Sequence, residues 1–238
     1  QLTRGRDPVR DALFEPRRGD YILFTRDSAG DEATQLYRLD PKTLAETPLT
    51  PAGEFYSPGP WNSAQDKMIV TSRPLDRNGR RAQAVVDVYA IDPMQPEARF
   101  KLATLAGAGW RVLRWLDREN RLILSEVASG TRAKLWSMDM ATGKRSELSD
   151  YESGDENASD RWLYRKRFDG DFARLSRVDV RSGDRQWITR DFDFDIESWS
   201  IAKGGKRIAV LANVAGTTKL KLYDGDLKPL MVPALPPG

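Results

Sequence analysis

Residues 35–40 read QLYRLD, and the same short strand closed by an aspartate returns as DVYAID at 87–92, KLWSMD at 134–139, RLSRVD at 174–179 and KLKLYD at 219–224. The closing residues Asp40, Asp92, Asp139, Asp179 and Asp224 are spaced 52, 47, 40 and 45 residues apart. A period of about 40–50 residues is that of propeller blades and is too long for a leucine-rich repeat. The aspartate has a physical reason to stand there. A carboxylate at a turn accepts hydrogen bonds from backbone N–H groups two residues on, so the chain reverses without leaving them unpaired. The residues after each aspartate fit a reversal: Pro41-Lys42, Pro93-Met94, Met140-Ala141-Thr142-Gly143-Lys144, Val180-Arg181-Ser182-Gly183-Asp184 and Gly225-Asp226. The three glycine-containing versions read as hairpin turns.

Working outward, each closed strand follows a short apolar run: Tyr21–Phe24, Met68–Val70, Leu122–Leu124, Trp162–Tyr164 and Ile208–Leu211. A first strand precedes most of these runs, at Val9–Phe14, Pro58–Trp61, Arg111–Leu116 and Ile196–Ile201, and a last strand leaves each turn. The imperfect alternation of Arg111–Leu116 suggests a strand packed on both faces. Four strands per repeat, with turns every 8–12 residues, predict an all-β fold of four-stranded antiparallel blades, a β-propeller. A β-sandwich with accidental periodicity is the rival, and five aspartate-closed strands in register argue against it. The expected organisation is a single propeller domain over 1–238, with blades near 4–50, 55–104, 110–149, 150–190 and 194–233. The fourth repeat is short, with only 149–161 ahead of its apolar run, so the expectation is a three-stranded blade or, more strongly, missing residues there. Gln1-Leu2-Thr3 resembles the last strand of a preceding blade, and residues 233–238 read as a linker, which together suggest an excerpt of a longer chain.

Composition narrows the function classes. The 238 residues carry 38 Lys plus Arg against 35 Asp plus Glu, a net charge of +3. No block of like charges forms the phosphate-tracking stripe of a nucleic-acid binder. No apolar run approaches the roughly 20 residues of a membrane span. There is no Cys, hence no disulfide, thiolate nucleophile or Cys-ligated metal, and no His, hence no Ser-His-Asp machine or imidazole metal site within this chain. Neither a GxSxG nor a P-loop is present, and the sequence implies no cofactor.

The stretch FEPRRGDYILFTRDSAGDEATQLYRLD (14–40) resembles an early propeller blade of bacterial prolyl oligopeptidase-family serine peptidases, of the dipeptidyl aminopeptidase and acylaminoacyl peptidase types. GAGWRVLRWLDRENRLIL (107–124), DFDIESWSIAKGGKRIAVLANVAG (193–216) and LKPLMVPALPPG (227–238) are similar to later parts of the same propellers, and TolB-like propellers are more distant in likeness. The resemblance implies a seven- or eight-bladed ring capping an α/β-hydrolase domain that supplies the catalytic Ser, Asp and His. It also implies short peptides as substrates and a periplasmic or secreted compartment. No catalytic position carries over, because the nucleophile motif and every His are absent. The family's Ser-Pro-Asp-Gly-Lys turn is replaced by Asn62–Lys67, Asp117–Asn120 and Lys203–Lys206. The implied role is a non-catalytic, substrate-gating propeller; the alternative is a stand-alone TolB-like module that binds protein partners. A third reading, a hydrolase or lyase using carboxylates of the first strands, has only Asp11 and Glu197 as obvious candidates.

Three groups of residues are candidates for contact with substrate or partner. Trp110 and Arg111 follow Gly107-Ala108-Gly109 where the chain passes between blades, and they can face a partner; a Trp wedged between blades is the plainer reading. Arg73, Arg77, Arg80 and Arg81 lie in an insertion with Pro74, Asn78 and Gly79, suited to an anionic partner or a substrate carboxylate. A solvated loop is the plainer reading there. Asp191, Asp193 and Asp195 alternate with Phe192 and Phe194 and are weak candidates for a Ca²⁺ site. The full calcium loop is absent, and a solvated strand edge fits better.

Overall fold

The computed structural model describes residues 3, 7–27, 30, 32–74, 83–129, 132–151, 157–158 and 161–234. Among these residues twenty strands form five four-stranded sheets, each laid out in chain order. Blade one holds β1 (Val9–Phe14), β2 (Ile22–Arg26), β3 (Gln35–Leu39) and β4 (Glu46–Pro48). Blade two holds β5 (Glu54–Trp61), β6 (Met68–Pro74), β7 (Val85–Asp92) and β8 (Gln95–Ala106). Blade three holds β9 (Trp110–Leu116), β10 (Arg121–Ser129), β11 (Arg132–Asp139) and β12 (Arg145–Tyr151). Blade four holds β13 (Asn157–Ala158), β14 (Trp162–Asp169), β15 (Phe172–Asp179) and β16 (Arg185–Trp187). Blade five holds β17 (Ile196–Ile201), β18 (Arg207–Val214), β19 (Thr217–Asp224) and β20 (Pro229–Leu230). Two single-turn 3₁₀ segments are the only helices among the described residues. The all-β fold of antiparallel four-stranded blades read from the sequence is the fold observed.

The closing aspartates do the work expected of them. Asp40 Oδ1 accepts from the Lys42 and Thr43 amides at 2.8 and 3.2 Å, and Asp92 Oδ1 from the Met94 amide at 2.8 Å. Asp139 Oδ1 accepts from the Thr142 amide at 2.8 Å, Asp179 Oδ1 from those of Arg181 and Ser182 at 2.8 and 3.3 Å, and Asp224 Oδ1 from those of Asp226 and Lys228 at 2.9 Å each. In four of the five turns one residue stands in the left-handed region. Gly143 (φ 69°) and Gly183 (φ 82°) take that place in blades three and four. Leu44 (φ 58°) and Leu227 (φ 67°) hold the same place in blades one and five, where a side chain strains the backbone.

Two expectations change. The segment before Trp162 does yield a first strand, cut to two residues, in which Asn157 pairs with Tyr164 and Ala158 with Leu163. The broken alternation of Arg111–Leu116 also has a bulge behind it, because register slips between Ile123 and Leu124, and Leu113, Arg114, Trp115 and Leu116 are all half-buried. The same slip recurs in the pairing of the first two strands of blades one, two and five. A bulge adds a residue to one strand and turns the following side chains over, which erases period-2 alternation from the sequence.

The chain divides into two compact units, Gln1–Val127 with Trp136–Ser146, and Ala128–Leu135 with Glu147–Gly238. Within each unit, neighbouring blades meet by burying apolar faces between their sheets. In the first, Leu23, Leu36 and Leu49 of blade one pack on Tyr56, Met68, Val70 and Ile91 of blade two. Ile69, Val86 and Val88 on the opposite face of blade two pack on Trp110, Val112, Leu122, Leu124 and Met138 of blade three. In the second unit, Tyr164, Leu175 and Ile188 of blade four pack on Ile196, Ile208, Val210 and Tyr223 of blade five. Within each unit, alternation of side chains along strands two and three thus turns one face of a blade to the blade before it or the other to the blade after it. A polar link repeats across two of these seams. Arg38 Nη1 donates to the Pro93 carbonyl at 2.7 Å, and Arg177 Nη1 to the Gly225 carbonyl at 2.8 Å, each just past the next blade's closing aspartate.

Candidate partner-facing site

Gly107 adopts φ 101°, a conformation open to glycine, and a β-carbon on Gly109 would collide with the Val127 carbonyl. The Val127 amide donates to the Gly109 carbonyl at 2.9 Å, so the chain enters β9 pressed against β10. From that start, alternation sends Trp110 inward and Arg111 outward. Trp110 is 6% exposed; its Nε1 donates to the Ala106 carbonyl at 2.8 Å and its ring lies 6.2 Å from that of Trp136. Arg145 lies over the same ring, with Cζ 4.9 Å from the ring centre. Arg111 is exposed, opposite Ser125.

Arg73 stands near the end of β6, opposite Phe55 of β5, and its Cζ lies 4.4 Å from the centre of the Phe55 ring, a cation–π contact. Partial burial lowers its pKa, and the charge of Arg111 lowers it further. The two exposed guanidinium groups that the sequence placed in separate motifs therefore sense each other. Neither makes an ion pair with a described residue, although both come from a molecule rich in Arg–carboxylate pairs. Arg77, Arg80 and Arg81 lie outside the described residues.

The aspartates at 191, 193 and 195 are drawn to separate donors. Asp191 accepts from Lys221 Nζ at 2.6 Å and from the Tyr223 hydroxyl at 2.9 Å. Burial pushes the Asp191 pKa up, and the Lys221 and Tyr223 bonds outweigh it, leaving the carboxyl below its usual range. The Tyr223 hydroxyl is pushed up, by burial first and then by Asp191. Asp193 Oδ1 accepts from Arg174 Nη2 at 2.7 Å, and Asp195 Oδ1 from the Ala173 amide at 2.7 Å. No group of three or more acidic residues among the described ones is placed to hold a metal ion.

Arg174, which sequence reasoning passed over, organises this corner. It is 8% exposed, and its Nη1 donates to the carbonyls of Thr189 and Phe192 at 2.9 and 2.6 Å. No local signal marks it, since lysine or another polar residue stands at the matching place in other blades. Trp61, Trp115, Trp136 and Trp199, read as inter-blade core, pack against the buried clusters. No helix among the described residues is long and apolar enough to cross a membrane.

No protein-family model matches this sequence, and no curated protein aligns with it. Solved structures do share the fold. A prolyl endopeptidase, studied for the role of inter-domain dynamics in catalysis and specificity, superposes with a TM-score of 0.71 over 97% of this chain at 12% identity. TolB from Acinetobacter baumannii superposes with a TM-score of 0.57 over 96% of the chain at 16% identity. An oligogalacturonate lyase in complex with manganese gives 0.65 over 95% at 12% identity. The chain spans 36%, 54% and 65% of those proteins respectively. At these identities the likeness establishes a β-propeller, of the kind found in prolyl oligopeptidase-type peptidases and in TolB, and a fold of this type hosts more than one function.

Proposed function

We propose that this chain is the non-catalytic, substrate-gating propeller of a prolyl oligopeptidase-type serine peptidase that cleaves short peptides, its five blades belonging to one propeller domain of seven or eight. The observation that carries this reading is a coincidence of two kinds of likeness. The stretches at 14–40, 107–124, 193–216 and 227–238 resemble peptidase blades in order along the chain, and the same chain superposes over 97% of its length on 36% of a prolyl endopeptidase. In this reading the nucleophile, base and acid belong to an α/β-hydrolase domain, and this chain contributes no bond-making residue. Its mechanism is exclusion: a rigid apolar scaffold carries loops that admit chains of limited bulk and reject folded ones, so specificity comes from what is kept out. Arg73 and Arg111, exposed and without a described counter-ion, are the cations that meet an anionic group of peptide or partner, with Arg77, Arg80 and Arg81 in the adjoining insertion. Trp110, buried at the start of β9, anchors the strand that carries Arg111. Action in the periplasm or outside the cell is part of the same proposal.

The test is made on the natural gene product. Its intact mass is measured, and it is assayed with aminoacyl and peptidyl chromogenic substrates of increasing length. The expected result is a mass well above that of the 26.9 kDa chain, with hydrolysis that falls steeply as substrates lengthen. Arg73→Ala with Arg111→Ala is expected to raise KM for substrates ending in a free carboxylate and to leave amidated ones unchanged. Silence toward every substrate overturns the peptidase reading and leaves the TolB-like binding module.

A further inference from the structure

The β14–β15 hairpin reads Phe168-Asp169-Gly170-Asp171-Phe172, and the loop that enters blade five reads Asp191-Phe192-Asp193-Phe194-Asp195. Both lie in the same compact unit. The loop is tied to the hairpin. Asp195 Oδ1 accepts from the Ala173 amide at 2.7 Å, and Ala173 stands opposite Phe168 in the β14–β15 pairing. Arg190 Nε, at the start of the loop, donates to Asp169 Oδ2 at 2.9 Å.

Two couples of ring and carboxylate in this corner each seat a cation of the chain itself. Lys221 Nζ lies 4.3 Å from the centre of the Phe192 ring and 2.6 Å from Asp191 Oδ2. Arg174 Cζ lies 5.4 Å from the centre of the Phe172 ring, and its Nη2 lies 2.7 Å from Asp193 Oδ1. A ring face attracts a cation through its quadrupole, and a neighbouring carboxylate adds its charge. The corner thus shows twice which chemistry its rings and carboxylates bind.

Two rings and one carboxylate stand outside these couples. Phe168 and Phe194 are 54% and 38% exposed, whereas Phe172 and Phe192 are half-buried. No ammonium or guanidinium of a described residue lies over Phe168 or Phe194. The Phe194 ring lies 6.0 Å from that of Phe192, beside the Lys221 couple. Asp171 is exposed at the hairpin tip and makes no hydrogen bond or ion pair with a described residue. Single exposed rings are ordinary; two on elements bonded to each other, next to an unpaired carboxylate, mark an interaction surface.

We propose that Phe168, Phe194 and Asp171 dock the basic side chains of an extended peptide segment, its lysines or arginines resting on this outer pair of rings as Lys221 and Arg174 rest on the inner pair. Charge complementarity selects the partner: the inner rings already seat cations, and the free charge at the tip is negative. This gives blade four a preference for basic chains that exclusion by size does not supply.

The test is a titration of the full chain, carrying nitrogen-labelled phenylalanine, with an N-acetylated, C-amidated Gly-Lys repeat peptide. The Phe168 and Phe194 amide resonances, assigned from the Phe168→Ala and Phe194→Ala spectra, are followed by NMR. Both are expected to move saturably, less so as salt is added, and to stay still with the matching Gly-acetyllysine and Gly-Glu peptides. Phe168→Ala, Phe194→Ala and Asp171→Asn, all at exposed positions and checked for folding by circular dichroism, are each expected to weaken binding about two- to fivefold, the size of one exposed cation–π contact or ion pair. Phe194→Trp is expected to hold or tighten it. Resonances that stay still throughout overturn the proposal, as do an acetyllysine peptide that binds equally well or three weakening variants that bind like wild type. Spermidine that moves the resonances when the peptide does not also overturns it, assigning the corner to a free polyamine. Binding is read without hydrolysis, so silence of the natural gene product toward peptidase substrates leaves the result standing.

Discussion

Replacing Asp179 tests whether the closing aspartates hold the blades together. Its Oδ1 accepts from the Arg181 and Ser182 amides at 2.8 and 3.3 Å, its Oδ2 accepts from Arg161 Nε at 2.6 Å, and the residue is 5% exposed. Two amides satisfied by one carboxylate resemble a helix N-cap, worth about 1–2 kcal/mol. The Arg161 side chain is 64% exposed, so its ion pair adds at most about 1 kcal/mol. Asp179→Ala is therefore expected to cost about 2–3 kcal/mol, and Asp179→Asn, which keeps an acceptor at Oδ1 but loses the charge, about 1 kcal/mol. Urea unfolding at neutral pH reads this as a midpoint shift of about 1 M or more for alanine, with an unchanged slope. The pH dependence has a definite sign. Burial raises the Asp179 pKa, but the Arg161 bond and the two amides outweigh it and hold the carboxyl low. A depressed carboxylate contributes in full above its unfolded value of about 3.9 and loses that contribution as pH falls through the folded value. The Asp179→Ala curve is thus flatter on the acid side and converges with wild type there. Alanine and asparagine variants both within about 0.5 kcal/mol of wild type, or an acid limb unchanged in Asp179→Ala, would refute the reasoning.

Glu15 makes the corresponding prediction at a turn outside the repeat: buried, it accepts from the Arg18 and Gly19 amides at 2.7 and 3.0 Å and from Arg17 Nε at 3.1 Å. Burial opposes its ionisation, and those bonds win, holding the pKa to about 2. Its contribution is complete above its ordinary value and disappears as pH falls toward 2, so Glu15→Gln is expected to cost about 1–2 kcal/mol at neutral pH and much less below pH 3, by denaturant titration. Leu44→Gly should move stability the other way. It relieves a left-handed side chain worth about 1–2 kcal/mol of strain against a glycine entropy cost of about 0.5–1 kcal/mol, for a net gain of about 0.5–1 kcal/mol in thermal or chemical unfolding.

What was legible in the sequence is what consecutive residues decide. The aspartate turns, and the strands they close such as Gln35–Leu39 and Thr217–Asp224, depend on turn chemistry and short apolar patterns that are visible along the chain. The bulges beside Ile123 and Ile196 are not, because an extra residue in one strand has meaning only against its partner. The Trp110-Arg111 pair shows the same boundary at the candidate site. Alternation says that one side chain is buried and the other exposed; which one depends on Gly109 meeting the Val127 carbonyl and on the blade-two face that receives the indole. Arg73 and Arg111, 38 positions apart, are brought near each other by the stacking of neighbouring sheets, and no reading of either motif alone contains that approach. The carboxylates point to the same division of labour. The five closing aspartates, the most regular acidic residues in the chain, are occupied by backbone amides, and Asp191, Asp193 and Asp195 by Lys221, Arg174 and the Ala173 amide respectively. Residues fixed in that way serve the scaffold. In the function proposed above, recognition falls instead to Arg73 and Arg111, which make no ion pair with a described residue.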